Sequence, residues 1–156
     1  MATQWTAQGI TSGAVLPAAT LNTIGAAWEN WTPVWTASTT NPVIGNGSIA
    51  GSYTRINKLV VAEGYILMGS TTTYGSGTYR LSIPFGTAVS ATGSVGYATL
   101  FDASAGYIAY TGLATQASTS TVEFRIGNGL GQFTPTVPIT LASGDQFRFT
   151  LIYQAA

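Results

Sequence analysis

The chain has 156 residues, of which 6% are charged, and five Lys+Arg balance five Asp+Glu. That balance creates no field to gather a polyanion, so neither nucleic acid nor an anionic membrane surface is an expected partner. Histidine and cysteine are both absent, which removes the commonest general base, the thiolate nucleophile, cysteine-based zinc sites and all disulfides.

The length suits one domain with a substantial core. With so few charges the chain has little protection against self-association, which points to an oligomer or an assembly component. The opening MATQWTAQGITSGAVLPAAT has no basic region and no continuous apolar core, so no secretory signal is expected. No apolar run approaches the ~20 residues of a membrane span. Asn30 and Asn46 each begin an N-x-S/T triplet, read here as chance matches in the absence of a signal.

In LPAATLNTIGAAWENW, Leu21, Ile24 and Trp28 recur at helical spacing, and Pro17 suits a first helical turn. One short amphipathic helix is predicted, weakened by about 1 kcal/mol at Gly25 and needing a surface to lie on. Residues 1–30 therefore read as an arm and 31–156 as the globular domain. Trp28, Trp31 and Trp35 cluster where the two meet, which favours a packing or subunit-interface role over ligand binding.

From residue 48 onward, short strands alternate with glycine-rich breaks. Candidates in chain order are SIAGSYTRI, KLVVAEGYILMGS, YRLSI, SVGYATLFD, AGYIAYTGL, TVEFRI and QFRFTLIYQ. Tyr79, Leu81 and Ile83 face one way against Arg80 and Ser82. Val122, Phe124 and Ile126 oppose Glu123 and Arg125, and Phe147, Phe149, Leu151 and Tyr153 oppose Arg148 and Thr150. This two-residue period marks half-buried antiparallel strands. GNGS, YGSG, DASAG and GNGLG supply the positive-φ residues of tight turns. The expected fold is all-β: an antiparallel jelly-roll-like sandwich or small barrel preceded by the arm. Solvent faces are rich in Thr and Ser, and the single lysine, Lys58, is too little to guard the edges. Barrel closure or neighbouring chains must cover them.

Catalytic chemistry finds little footing. A Ser–Lys pair would have to use Lys58, at a predicted hairpin. Paired carboxylates would draw on Glu29, Glu63, Asp102, Glu123 and Asp145, and no two are grouped. Asp102 and Asp145 read as turn caps, and Glu63, before Gly64, as a bulge residue. Scattered carboxylates offer no calcium cluster, so neither metal nor cofactor is expected. GNGLGQ leads into Phe133-Thr134-Pro135 instead of a helix, so it is a turn and not a phosphate loop. The aromatics, 12% of the chain, mostly fit the core pattern. A glycan-contact alternative would use exposed aromatics such as Tyr74, Tyr79 or Tyr107.

Both ends of the chain resemble a family. Trp31-Thr32-Pro33-Val34-Trp35, the hairpin from Gly51 to Val60, the closing Gly144-Asp145 strand and the upstream ITSGAVLPAATLNTIGAAW are similar to the β-domains of tailed-bacteriophage virion proteins. These are minor tail proteins, head fibres and capsid decorations. Asn57 stands where the family has glycine, and asparagine tolerates the same positive φ. The middle of the chain, roughly 65–140, matches only in style, and no fibre repeat is present. The resemblance implies a non-enzymatic homotrimer on the virion exterior, made in the host cytoplasm and attached by its N-terminal arm to capsid or tail proteins. Docking then falls to Ile10, Val15, Leu16, Leu21, Ile24 and Trp28, with Trp31 and Trp35 locking arm to domain. The alternative is a tail-tip or receptor-binding module for host surface glycans.

Overall fold

The alternating sequence becomes strands almost wherever the period is clean. In the computed structural model, which describes residues 27–87, 93–129 and 131–156, the chain is all-β and antiparallel. The strands are β1 (Glu29–Trp31), β2 (Trp35–Ala37), β3 (Ser48–Ile56), β4 (Leu59–Leu67), β5 (Tyr79–Ser82), β6 (Ser94–Asp102), β7 (Ile108–Gln116), β8 (Thr121–Ile126), β9 (Gly131–Gln132) and β10 (Gln146–Gln154). Most of the expected helix falls outside the described residues, as do Ile10, Val15, Leu16, Leu21 and Ile24. Ala27 and Trp28 are not helical.

The strands form one curved, half-barrel sheet in the order β1-β3-β4-β10-β6-β7-β8-β5-β2, with β9 beside β8. β1 and β2 stand at opposite ends of that order, yet only residues 32–34 separate them in sequence. Four Cα steps span at most about 15 Å. The sheet must therefore curl until its two ends come near each other, and its concave side becomes the core.

Inward positions of the long strands are those the alternation selects. Tyr79, Leu81, Val122, Phe124, Ile126, Phe147, Phe149 and Leu151 are all buried. Phe124 of β8 meets Phe147 of β10 at 4.8 Å, edge to face, although β6 and β7 lie between them in the sheet. Such contacts across the curl are what hold it shut.

Turns follow their sequence signals. Gly45, Gly75, Gly77, Gly106 and Gly127 all adopt positive φ, and Asn57 does so at 55° in the β3–β4 hairpin. Asp102 Oδ1 accepts the N–H groups of Ser104 and Ala105 at 2.9 and 3.2 Å. Asp145 goes further. Fully buried, it accepts the Ala142 N–H at 2.8 Å and the Ala103 N–H at 3.0 Å, tying its own turn to the loop after β6.

Glu63 is not a bulge residue. Pairing from Ser48↔Leu67 to Ile56↔Leu59 runs without a break, and the irregularity recorded in the sheet lies between Ser94 and Gly96. The glycine beside Glu63 has a packing role instead. A Cβ on Gly64 would stand 2.6 Å from Cζ of Phe149, and one on its cross-strand partner Gly51 would stand 2.8 Å from Cε3 of Trp31. Two rings occupy the space that the paired glycines leave.

Candidate functional site

The curl packs the partly buried Trp31 against the buried Phe149 on the core side of the sheet. Behind the Gly51–Gly64 pair, the outer surface of β1, β3, β4, β10 and β6 sinks into an open hollow of about 610 Å³. Register decides what it contains. One row across the strands is Ala50, Tyr65, Arg148 and Thr99; the next is Asn30, Ser52, Glu63, Thr150 and Tyr97. All nine residues line the hollow, with Leu67 and Gln146 beyond them. Tyr65 and Tyr97 thus stand on opposite sides of β10, offset by one row, roughly 12 Å apart by strand geometry.

The two tyrosines are 42% and 59% exposed. Arg148 is held in place: its Nη2 donates to Gln146 Oε1 at 2.9 Å, and its guanidinium lies over the Phe101 ring at 5.4 Å. One N–H is used by that bond, and a guanidinium has five.

The carboxylates sort themselves by role. Glu29 accepts the Tyr53 phenol, a bond that pushes the Tyr53 pKa up. Asp102 and Asp145 cap turns, and Glu123 faces Arg80 at 3.8 Å. Glu63 alone has no hydrogen-bond or ion-pair partner among the described residues. It lies on β4, the middle of the hollow's five strands. No three acidic side chains converge among the described residues.

Farther along the same strands the outer face changes character. Ile56 pairs with Leu59, and Val61 with Ile152. Three of these four side chains are about half exposed, Ile152 most at 55%. Together they make a short apolar band, and the single lysine, Lys58, lies in the adjoining β3–β4 turn.

The sequence-selected residues scatter. Trp28 is 52% exposed, just ahead of β1. Trp31 packs edge-on against Phe149. Trp35 is buried against Tyr79 with centroids 5.0 Å apart, and its Nε1 has no hydrogen-bond partner among the described residues. Trp31 and Trp35 therefore fill the core, at opposite ends of the sheet order. Residues 29 and 30, grouped with the arm in the sequence, pair with β3.

Tyr79 is unavailable for glycan contact. It is 1% exposed and donates its hydroxyl to the Tyr74 carbonyl at 2.6 Å, and burial raises its pKa far above the ordinary value. Tyr74 is half-buried and likewise raised by burial. Tyr107 is 55% exposed at a turn with φ 64°. None of the three lines the hollow.

No protein-family model, curated protein or solved structure matches this chain. The phage resemblance rests on its own short motifs.

Proposed function

We propose that this chain is a non-enzymatic structural component on the outside of a tailed-phage particle. In this reading it is a head or capsid decoration or a short fibre, assembled as a homotrimer and attached through its N-terminal segment. The curved sheet is then the jelly-roll-like or small-barrel body of that component, with a helix in its leader. The observation that carries the proposal is the outer apolar band of Ile56, Leu59, Val61 and Ile152 on a chain with few charged residues and no net charge. A freely diffusing monomer gains nothing from such a band, whereas a sister chain can bury it.

Mass spectrometry and antibody labelling of purified particles from the phage that encodes the chain test this placement. The chain is expected at stoichiometric copy number on the particle surface. Its absence from intact particles would defeat the proposal. A second reading, a tail-tip module that recognises host surface glycans, is favoured by the hollow beside the band.

A further inference from the structure

We infer that the outer-face hollow binds a neutral saccharide, with Tyr65 and Tyr97 as its stacking walls and Glu63 as its central acceptor. This deepens the glycan reading and names its site. It does not depend on where the chain sits in a particle.

The chemistry of the hollow narrows its ligand. A volume of about 610 Å³ lies inside the roughly 300–1,000 Å³ range of small-molecule sites. Glu63 and Arg148, in adjacent rows of β4 and β10, give the hollow one negative and one positive group, so no net charge selects a phosphate or an ammonium ligand. A purely apolar ligand would strand the unpartnered Glu63 carboxylate and the spare Arg148 donors. A sugar hydroxyl both donates and accepts, and so satisfies a carboxylate and a guanidinium side by side. Its ring also has an apolar face of C–H groups to lie on tyrosine. Of the chain's five acidic groups, four have structural work to do. Glu63 is the one left for a ligand.

The site is also well supported. The buried Phe149 and the partly buried Trp31 pack under the glycine pair from the core side, so the floor is set by core rings and not by loops. Arg148 is already oriented by Gln146 and Phe101.

The experiment is a glycan array probed with the purified full-length protein, followed by calorimetric titration of the strongest neutral oligosaccharide on it. Saturable binding is expected. Tyr97→Ala and Glu63→Gln should each weaken it roughly tenfold or more, the size of a lost stacking contact or a lost hydrogen bond to a charged group. Tyr107→Ala, an exposed tyrosine outside the hollow, should leave affinity unchanged. Both hollow substitutions are at solvent-facing positions, and equal thermal midpoints for all variants establish that the fold is retained. No saccharide binding, binding only to acidic glycans or to peptide, or binding lost through Tyr107 instead of Tyr97 and Glu63 would each overturn the assignment.

Discussion

The indole of Trp31 meets the phenyl ring of Phe149 edge-on, with centroids 6.1 Å apart and planes at 82°. Both rings press on backbone where Gly51 and Gly64 have no side chain. Replacing glycine in a strand by alanine ordinarily helps, because alanine restricts the unfolded chain. Here the sign reverses. Gly64→Ala drives a Cβ into Phe149 and within 2.8 Å of the Ala50 carbonyl, an overpacking expected to cost about 1–3 kcal/mol. Urea denaturation measures it. Adding Phe149→Leu to Gly64→Ala should recover part of the loss, because the ring edge is one of the two obstructions. Additive losses in the double variant would show that the ring is not responsible.

Asp145 gives a second test. It is fully buried and accepts two backbone N–H groups, one from its own turn and one from the loop after β6. Asp145→Ala orphans both donors, and each costs about 1–3 kcal/mol. A total of roughly 2–6 kcal/mol should appear as a lower denaturant midpoint. Asp102→Ala, whose carboxylate caps an exposed turn, should cost only about 1 kcal/mol. Equal losses at the two positions would contradict the burial argument.

These two sites show what could be read from the sequence. β3, β6, β8 and β10 begin and end with the candidate segments SIAGSYTRI, SVGYATLFD, TVEFRI and QFRFTLIYQ, and Asp102 and Asp145 stand in recognisable turn contexts. β1, β2 and β9 are two or three residues long, too short to show a period. Trp31 and Trp35 are near neighbours in sequence, yet their strands β1 and β2 stand at opposite ends of the strand order, which residue spacing alone does not reveal. The hollow was illegible for a related reason. Its residues come from five strands and meet only through register. Tyr97 was hidden further by its own strand, where both faces of SVGYATLFD carry apolar residues and the period does not say which is core.

Tyrosine ionisation supplies a pH test. Tyr153 is buried, and desolvation pushes its pKa up from 10.0 to about 12, against smaller lowering effects of the Phe85 N–H and of Arg55. Tyr79 shifts the same way. A folded-state value above the unfolded one means the fold prefers the neutral phenol. That stability is therefore fully present below about pH 10 and is lost as pH rises toward about 12. Denaturant midpoints should be level into mildly alkaline solution and then fall steeply across that window. Tyr153→Phe should flatten the fall, since it removes one of the groups that must stay protonated. An undiminished slope in that variant would assign the alkaline loss elsewhere.

The apolar band offers the most direct test of self-association. Ile152 is 55% exposed on the outer face of β10, paired with Val61 across the strand. A lysine there stays solvated in an isolated chain, so folding stability should change by no more than about 0.5 kcal/mol. In an assembly that buries the band, the same lysine places an unpaired charge in the contact, which costs several kcal/mol. If the proposed homotrimer forms through this band, Ile152→Lys is expected to give a folded monomer in sedimentation velocity. Deleting residues 1–26 spares β1, which starts at Glu29, and separates the leader from the band. The proposed division of labour requires the truncated chain to remain trimeric while losing its place on the particle. A truncated chain that is monomeric would give the trimer contact to the leader, and a trimer that survives Ile152→Lys would remove the band from the interface.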